Sequence, residues 1–309
     1  MERPPLPRRL PAHRRLRQRR GVAAAIGTLL ALLVFMSLFG LFVTQFVPLW
    51  MTDNEASFTA TVQGQFGTIK QNLDLLALDG GNVRSLAAAV TMESGNIPVM
   101  AQATQGVLAY QSSLSLYTNI SFNLTGVSLP RTSHAQDFYQ NFTPGEISMD
   151  IPNRYYVPTT FSLSNGAVVS QQSGGSSSML FAPSFQAITV GTSTTLYLTL
   201  YQMLGNGTRL TSTGTEEVYT AYAATQSYPG ATNTSVDLNF TTPYPCAWIH
   251  YLNSTFKASG VVPALTPSAC PTSLGVGQVS RVSVAFPPVH QFVLTMVSFD
   301  VTLGFGTPG

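Results

Sequence analysis

The pattern of apolar and polar positions changes twice along the chain, and each change marks an element. From Val22 to Val43 no residue carries a charge, and the apolar run continues to Val47. At about 1.5 Å per residue, those residues span roughly 33 Å as a helix, enough to cross a hydrocarbon core. Beyond Pro48 the apolar positions Phe58, Val62, Phe66, Ile69, Leu73 and Leu76 recur every three or four residues, which predicts a helix with one apolar stripe. Asp53 is its expected N-cap, Pro48 an expected kink before it, and Gly64 and Gly67 mark an expected bend. Asp79-Gly80-Gly81-Asn82 reads as its stop.

From residue 83 the period shortens to two. Leu114, Leu116, Ile120, Phe122 and Leu124 alternate with polar neighbours, as on a strand with one wet face. Phe161 to Val169 contains an Asn165-Gly166 turn and reads as a hairpin. Leu196, Leu198 and Leu200 alternate with Tyr197, Thr199 and Tyr201. The run from Val293 onward places Val297, Phe299, Val301, Leu303 and Phe305 on one side and Phe292, Leu294 and Met296 on the other. Its first half therefore reads as apolar on both sides and central in a sheet. The expected fold class is α+β: a long N-terminal helix, membrane-spanning and then amphipathic, followed by an antiparallel β-sandwich-like head. The expected divisions are a basic leader (1–21), a transmembrane helix (22–47), an amphipathic stalk helix (48–82) and the head (83–309).

Charge adds orientation. Eight of the fifteen Lys and Arg residues precede the apolar run. A positive flank keeps that side in the cytoplasm and places the head outside. With four prolines among these first twenty residues, the leader is expected to form no packed element. From Gln45 onward twelve acidic residues face seven basic ones, a balance that disfavours nucleic acid as a partner. The two cysteines, Cys246 and Cys270, then lie in an oxidising compartment where a disulfide persists. Closing that loop contributes on the order of 3.5 kcal/mol in the chain-entropy picture.

Ala23, Gly27 and Ala31 share one face of the first helix and let a second helix approach closely. Arg19-Arg20-Gly21, followed by Val22-Ala-Ala-Ala-Ile-Gly-Thr-Leu-Leu and the long apolar run, resembles the N-terminus of archaeal type IV pilins and pilin-like proteins. The resemblance covers about thirty residues. It implies a class III signal peptide cut by a prepilin peptidase between Gly21 and Val22, and self-assembly through the N-terminal helix. Ile26-Gly27 takes the family's Ile-Gly position, whereas Ala23 and Ala24 replace its frequent Ser and Glu or Pro. Bacterial pilins carry a Glu at the fifth mature position, and here that residue is Ile26.

Seven Asn-x-Ser/Thr sequons occur. Asn119, Asn123, Asn206, Asn233, Asn239 and Asn253 are glycosylation candidates, and Asn141 is the poorest because Pro144 follows its Thr143. Catalytic signals are weak. Ser133-His134 lies near Asp137 without a nucleophile elbow, and His250 and His290 have no ligand-spaced partner. Glu216-Glu217 reads as a solvated edge. The expectation is no catalytic, metal or cofactor-binding residue and no cofactor. The protein reads as a non-enzymatic surface protein, single-pass with a cytoplasmic N-terminus, whose partners are the membrane, the peptidase and copies of itself. It acts in a filament or as a permanently anchored extracellular glycoprotein, a binding or envelope module.

Overall fold

The computed structural model describes residues 13–98, 100–112, 119–125, 138–173, 177–270 and 278–304. The chain runs α1 (His13–Asp79), β1 (Ser85–Thr91), β2 (Val107–Gln111), β3 (Asn119–Thr125), β4 (Phe138–Phe142), β5 (Glu146–Ile151), β6 (Thr159–Ser164) and β7 (Ala167–Gln172). It continues through β8 (Ser177–Phe181), β9 (Phe185–Val190), β10 (Ser193–Leu204), β11 (Thr208–Leu210) and β12 (Thr215–Thr242) to α2 (Pro245–Ala258), then β13 (Ala264–Thr266), β14 (Ser280–Ala285) and β15 (Val289–Leu303). This is an α+β protein: a long, apolar N-terminal helix followed by a β-rich domain.

α1 is one helix of 67 residues. It continues through Pro48, so Asp53 lies inside the helix and caps nothing. Part of the basic leader, from His13, is also helical. Proline removes one backbone hydrogen bond from a helix. Here Val47 and Met51, on either side of it, are both buried. The helix ends where the sequence places its stop. Gly80 takes a positive φ of 63° and donates its N–H to the Leu76 carbonyl, a turn that glycine adopts without a Cβ penalty. The Val83 N–H closes back on the Asp79 carboxylate.

All six predicted stripe positions of α1 are buried. They share a core with Tyr110, Ile147, Met149, Phe161 and Leu163 of the smaller sheet and with Tyr201, Val297, Phe299 and Val301 of the larger. Each such side chain contributes roughly 1.5–3 kcal/mol of burial. The larger sheet has nine strands, with β13-β14-β12-β15-β10-β9 as its main run, β1 and β3 also on β12, and β4 on β3. The smaller has the order β11-β2-β5-β6-β7-β8. One pair departs from the antiparallel expectation: β10 and β15 run parallel from Thr195↔Gln291 to Leu204↔Asp300.

A second core contains no α1 residue. It joins Leu196, Leu198, Leu200, Phe292, Leu294, Val236 and Leu238 to Trp248, Ile249, Leu252 and Phe256 of α2. This explains the double-sided pattern of the last strand. Along β15 the buried parity switches, from Phe292 and Leu294 in the second core to Val297, Phe299, Val301 and Leu303 in the first. β10 switches likewise, from Leu200 to Tyr201 and Met203. The strands are long and serve two cores on opposite faces in succession. Leu114, Leu116 and Phe305 lie outside the described residues.

The Asn165-Gly166 turn is present, with φ of 51° and 69°. Its tip seats on β10. Asn165 Oδ1 accepts the Tyr201 N–H at 2.9 Å, and a Cβ on Gly166 would meet the Tyr201 ring at 2.7 Å.

The two helix glycines differ in surroundings. A Cβ on Gly64 meets nothing within 4 Å, whereas one on Gly67 meets the Phe181 ring at 2.7 Å. Gly64→Ala is therefore expected to raise the unfolding free energy of the detergent-solubilised protein by up to about 1 kcal/mol. Gly67→Ala should gain less or lose. Equal gains in a denaturant titration would show that Phe181 does not need that space.

Candidate functional site

The candidate site is α1 itself, which offers two surfaces. Its inner half is apolar all round and bare: Leu29, Leu33, Phe35, Leu38 and Leu41 are all more than half exposed. The segment is long and apolar enough to cross a membrane. Its few hydroxyls are satisfied internally. Thr28 Oγ1 donates to the Ala25 carbonyl, Ser37 Oγ to Leu33 and Thr44 Oγ1 to Gly40, at 2.8–2.9 Å. Polar groups tied off this way can sit in hydrocarbon. Gly27 and Ala31 are both exposed, and nothing lies within 4 Å of a Cβ at Gly27 or Gly40. Gly21 and Val22 lie in the helical backbone of α1. Toward Pro48, Phe42 stacks on Phe46 and meets Trp50 edge-on, with ring centroids 5.5 Å apart in both pairs.

The second surface is where the head grips the helix. Glu55 is fully buried, at 0% exposure, on the same stripe as Met51 and Phe58. Its carboxylate accepts from Thr104 Oγ1 at 2.5 Å and from the N–H groups of Arg154, Tyr155 and Tyr156 at 3.1, 2.7 and 2.7 Å. Three successive amides thus converge on one carboxylate. Beside them Asn153 Nδ2 donates to Thr59 Oγ1 and to the Val157 carbonyl. Burial alone would raise the Glu55 pKa; the hydrogen bonds from Thr104 and the three amides outweigh it and hold the pKa below 4.5. Higher up, Lys70 is buried and pairs with Asp74, with Nζ 2.6 Å from Oδ1, and Tyr201 donates its hydroxyl to the same oxygen at 2.9 Å. Burial raises the Tyr201 pKa, so this phenol stays a donor.

Cys246 opens α2 and Cys270 lies in the following loop. Both sulfurs stand as free thiols. Burial and a hydrogen bond with Cys270 push the Cys246 thiol up to about 12. Cys270 Sγ is also 3.5 Å from His250 Nε2, which follows Cys246 by one turn of α2. Among the described residues no group of three potential ligands is placed to hold a metal. Ser133, His134 and Asp137 lie outside the described residues.

The sequons separate by setting. Asn206 is exposed in the turn between β10 and β11, and Asn253 is exposed on α2. Asn239 is half-buried, its Oδ1 accepting from Ser283 Oγ at 2.6 Å and from Arg281 Nε at 3.3 Å. Asn123 sits on the adjoining strand opposite Asp237. Both line a depression of about 420 Å³ with mixed polar and apolar walls that include Arg281, Thr266 and Val284. Asn119, Asn141 and Asn233 fall on β3, β4 and β12. Glu216 and Glu217 pair with β1 at the start of β12.

Two of these features escape the sequence reading. α2 is one, although Trp248, Ile249, Leu252 and Phe256 carry a helical spacing behind Pro245. Glu55 is the other, and its signal is a carboxylate on an apolar stripe. Comparison with known protein families, curated proteins and solved structures finds no match to this chain.

The Glu55 cluster yields a pH prediction. Its pKa is depressed in the folded state, so its stabilisation is complete above the unfolded value near 4.5 and is lost as pH falls through the folded value. Glu55→Ala leaves buried donors unpaired and is expected to cost about 3 kcal/mol or more. Glu55→Gln should flatten the acid limb of a stability–pH profile. An unchanged acid limb in Glu55→Gln would show that another group governs it.

Proposed function

We propose that the protein is a cell-surface, pilin-like subunit: its leader stays in the cytoplasm, α1 crosses the membrane and the β-rich domain stands outside. The observation that carries this reading is α1. Its inner half is bare and apolar on every side, and its outer half is built into the head's core. Such a subunit needs an apolar environment for the inner half, first lipid and then neighbouring helices in a filament. The exposed Gly27 and Ala31 provide a close-packing stripe, with Ala23 in register below them. The resemblance to archaeal type IV pilins at Arg19-Arg20-Gly21-Val22 and Ile26-Gly27 supports processing by a prepilin peptidase after Gly21. The head acts in adhesion or in structural contact, without catalysis, cofactor or nucleic acid.

A second reading, a permanently anchored surface glycoprotein, is favoured by Ile26. Where bacterial pilins place a carboxylate, this helix exposes hydrocarbon. Mass analysis of the purified N-terminus separates the two. A Val22 terminus together with surface filaments supports the subunit, and Met1 or Glu2 supports the anchor.

In either state the head lies in an oxidising space. Non-reducing peptide mapping is expected to find Cys246 joined to Cys270, and two alkylatable thiols would refute the pair. Glycopeptide mapping is expected to find sugar at Asn206 and Asn253 before Asn239, whose half-buried side chain is held against Ser283 and Arg281. Full occupancy at Asn239 with none at Asn206 would reverse that order.

A further inference from the structure

The head reaches down α1 further than its stalk requires. Val47 and Met51 are both buried, so the domain covers the helix on both sides of Pro48. Two connections form this lower end. One is the segment after β5, pinned by Glu55 and by Thr52, whose Oγ1 lies 3.4 Å from the Tyr155 carbonyl oxygen. The other follows β1. That strand descends α1 as the helix ascends, with Asn72 Nδ2 donating to Ala87 O, Gln65 Nε2 to Thr91 Oγ1 and Asn54 Nδ2 to Gly95 O. The Ile97–Ala101 turn lies beyond Gly95.

Part of this lower end exposes aromatic and apolar side chains, beside a polar depression lined by Glu93, Asn96, Gln102 and Arg154. Tyr155, Tyr156 and Val157 are 43%, 36% and 39% exposed, in a row, beside an exposed Arg154. Pro98 and Met100 are exposed on the neighbouring turn. Tyr155 hangs at the level of Thr52, about 3 Å along the axis from Trp50. No residue from Val22 to Thr52 is charged. Such a helix measures roughly 46 Å, about the thickness of a bilayer with its headgroups. Trp50 and the two tyrosines therefore share the level at which interfacial aromatics gather.

We propose that residues 154–157, with Pro98 and Met100 beside them, form a foot that sits in the lipid headgroup layer of the membrane that α1 crosses. The tyrosine rings lie among the glycerol and carbonyl groups with their hydroxyls toward water. Arg154 meets lipid phosphate. The occupant is the membrane, because the foot hangs beside Thr52 at the level where the bare apolar surface of α1 ends, with Phe46, Leu49 and Trp50 exposed on the helix face turned away from the head. This rests on the membrane-spanning state of the reading above and adds a second, peripheral contact. The Glu55 cluster fixes the loop to the helix, so the foot and the span move as one body.

The test uses the full chain in vesicles of phosphatidylcholine and phosphatidylglycerol, with lipids brominated near the glycerol end of their chains. In a Trp50→Phe, Trp248→Phe background, Tyr156→Trp is the reporter; Trp248→Phe alone leaves Trp50 as the control. The foot predicts quenching of both to a similar degree, about twofold. An unquenched reporter beside a quenched Trp50 overturns the foot and leaves the membrane span standing. If neither is quenched, the span fails and the foot falls with it. Quenching or a blue shift of the reporter that needs a high protein-to-lipid ratio assigns the surface to a second copy, which also overturns the proposal. If the Trp248→Phe background does not fold, 3-fluorotyrosine protein takes its place. Tyr155 and Tyr156 are then assigned by Tyr155→Phe and Tyr156→Phe, and a headgroup nitroxide lipid must broaden both signals.

Discussion

One helix has to satisfy two surroundings, and the head's organisation follows from how it does so. The N-terminal half of α1 exposes hydrocarbon on every face; the C-terminal half buries a stripe of it in the head. At the changeover the helix places a carboxylate, Glu55, on that stripe. An unpaired charge there would cost several kcal/mol. The head supplies the compensation from two segments: three consecutive amides after β5 and the Thr104 hydroxyl between β1 and β2 converge on the two oxygens. The same bonds satisfy backbone donors that the loop turns inward against the helix. Helix and loop thus each relieve a cost in the other, which fixes the height of the head on its rod.

Further up, the architecture is set by strand length. β12 spans 28 residues and β15 spans 15. Strands of that length outrun a single core, and the sheet turns one face to α1 and then the other to α2. β10 shows how the transfer is made. Its edge pairs with β9 only as far as Leu198. Beyond that, Ser184, Asn165 and Pro144 take the N–H groups of Thr199, Tyr201 and Met203 in turn. The hairpin tip at Asn165 thereby links the smaller sheet to the larger where the buried parity changes.

The features legible in the sequence are those that repeat at a local period. The α1 stripe, its glycine stop and the Asn165-Gly166 turn all depend on residues within a few positions of one another. The N-cap expected at Asp53 misled because a helix-start signal carries no information about what precedes it, and here α1 already runs through Pro48. The parallel pairing of β10 with β15 depends on residues about a hundred positions apart, which no local pattern encodes. β15 was readable as doubly apolar but not as a strand serving two cores in sequence. Glu55 stood in plain view as an interruption of its stripe, yet its partners lie in segments remote from it in the chain.

Because the outer stripe of α1 forms part of the main core, the β-rich domain is not a detachable module. A fragment starting after Asp79 would open a trough where Phe66, Ile69 and Leu73 had been and would leave the amides of Tyr155 and Tyr156 facing a void. The rod is at once a tether and a wall of the building it holds up. The chain therefore resists domain shuffling: a different head could be borne on this helix only if it brought its own lining for the same stripe.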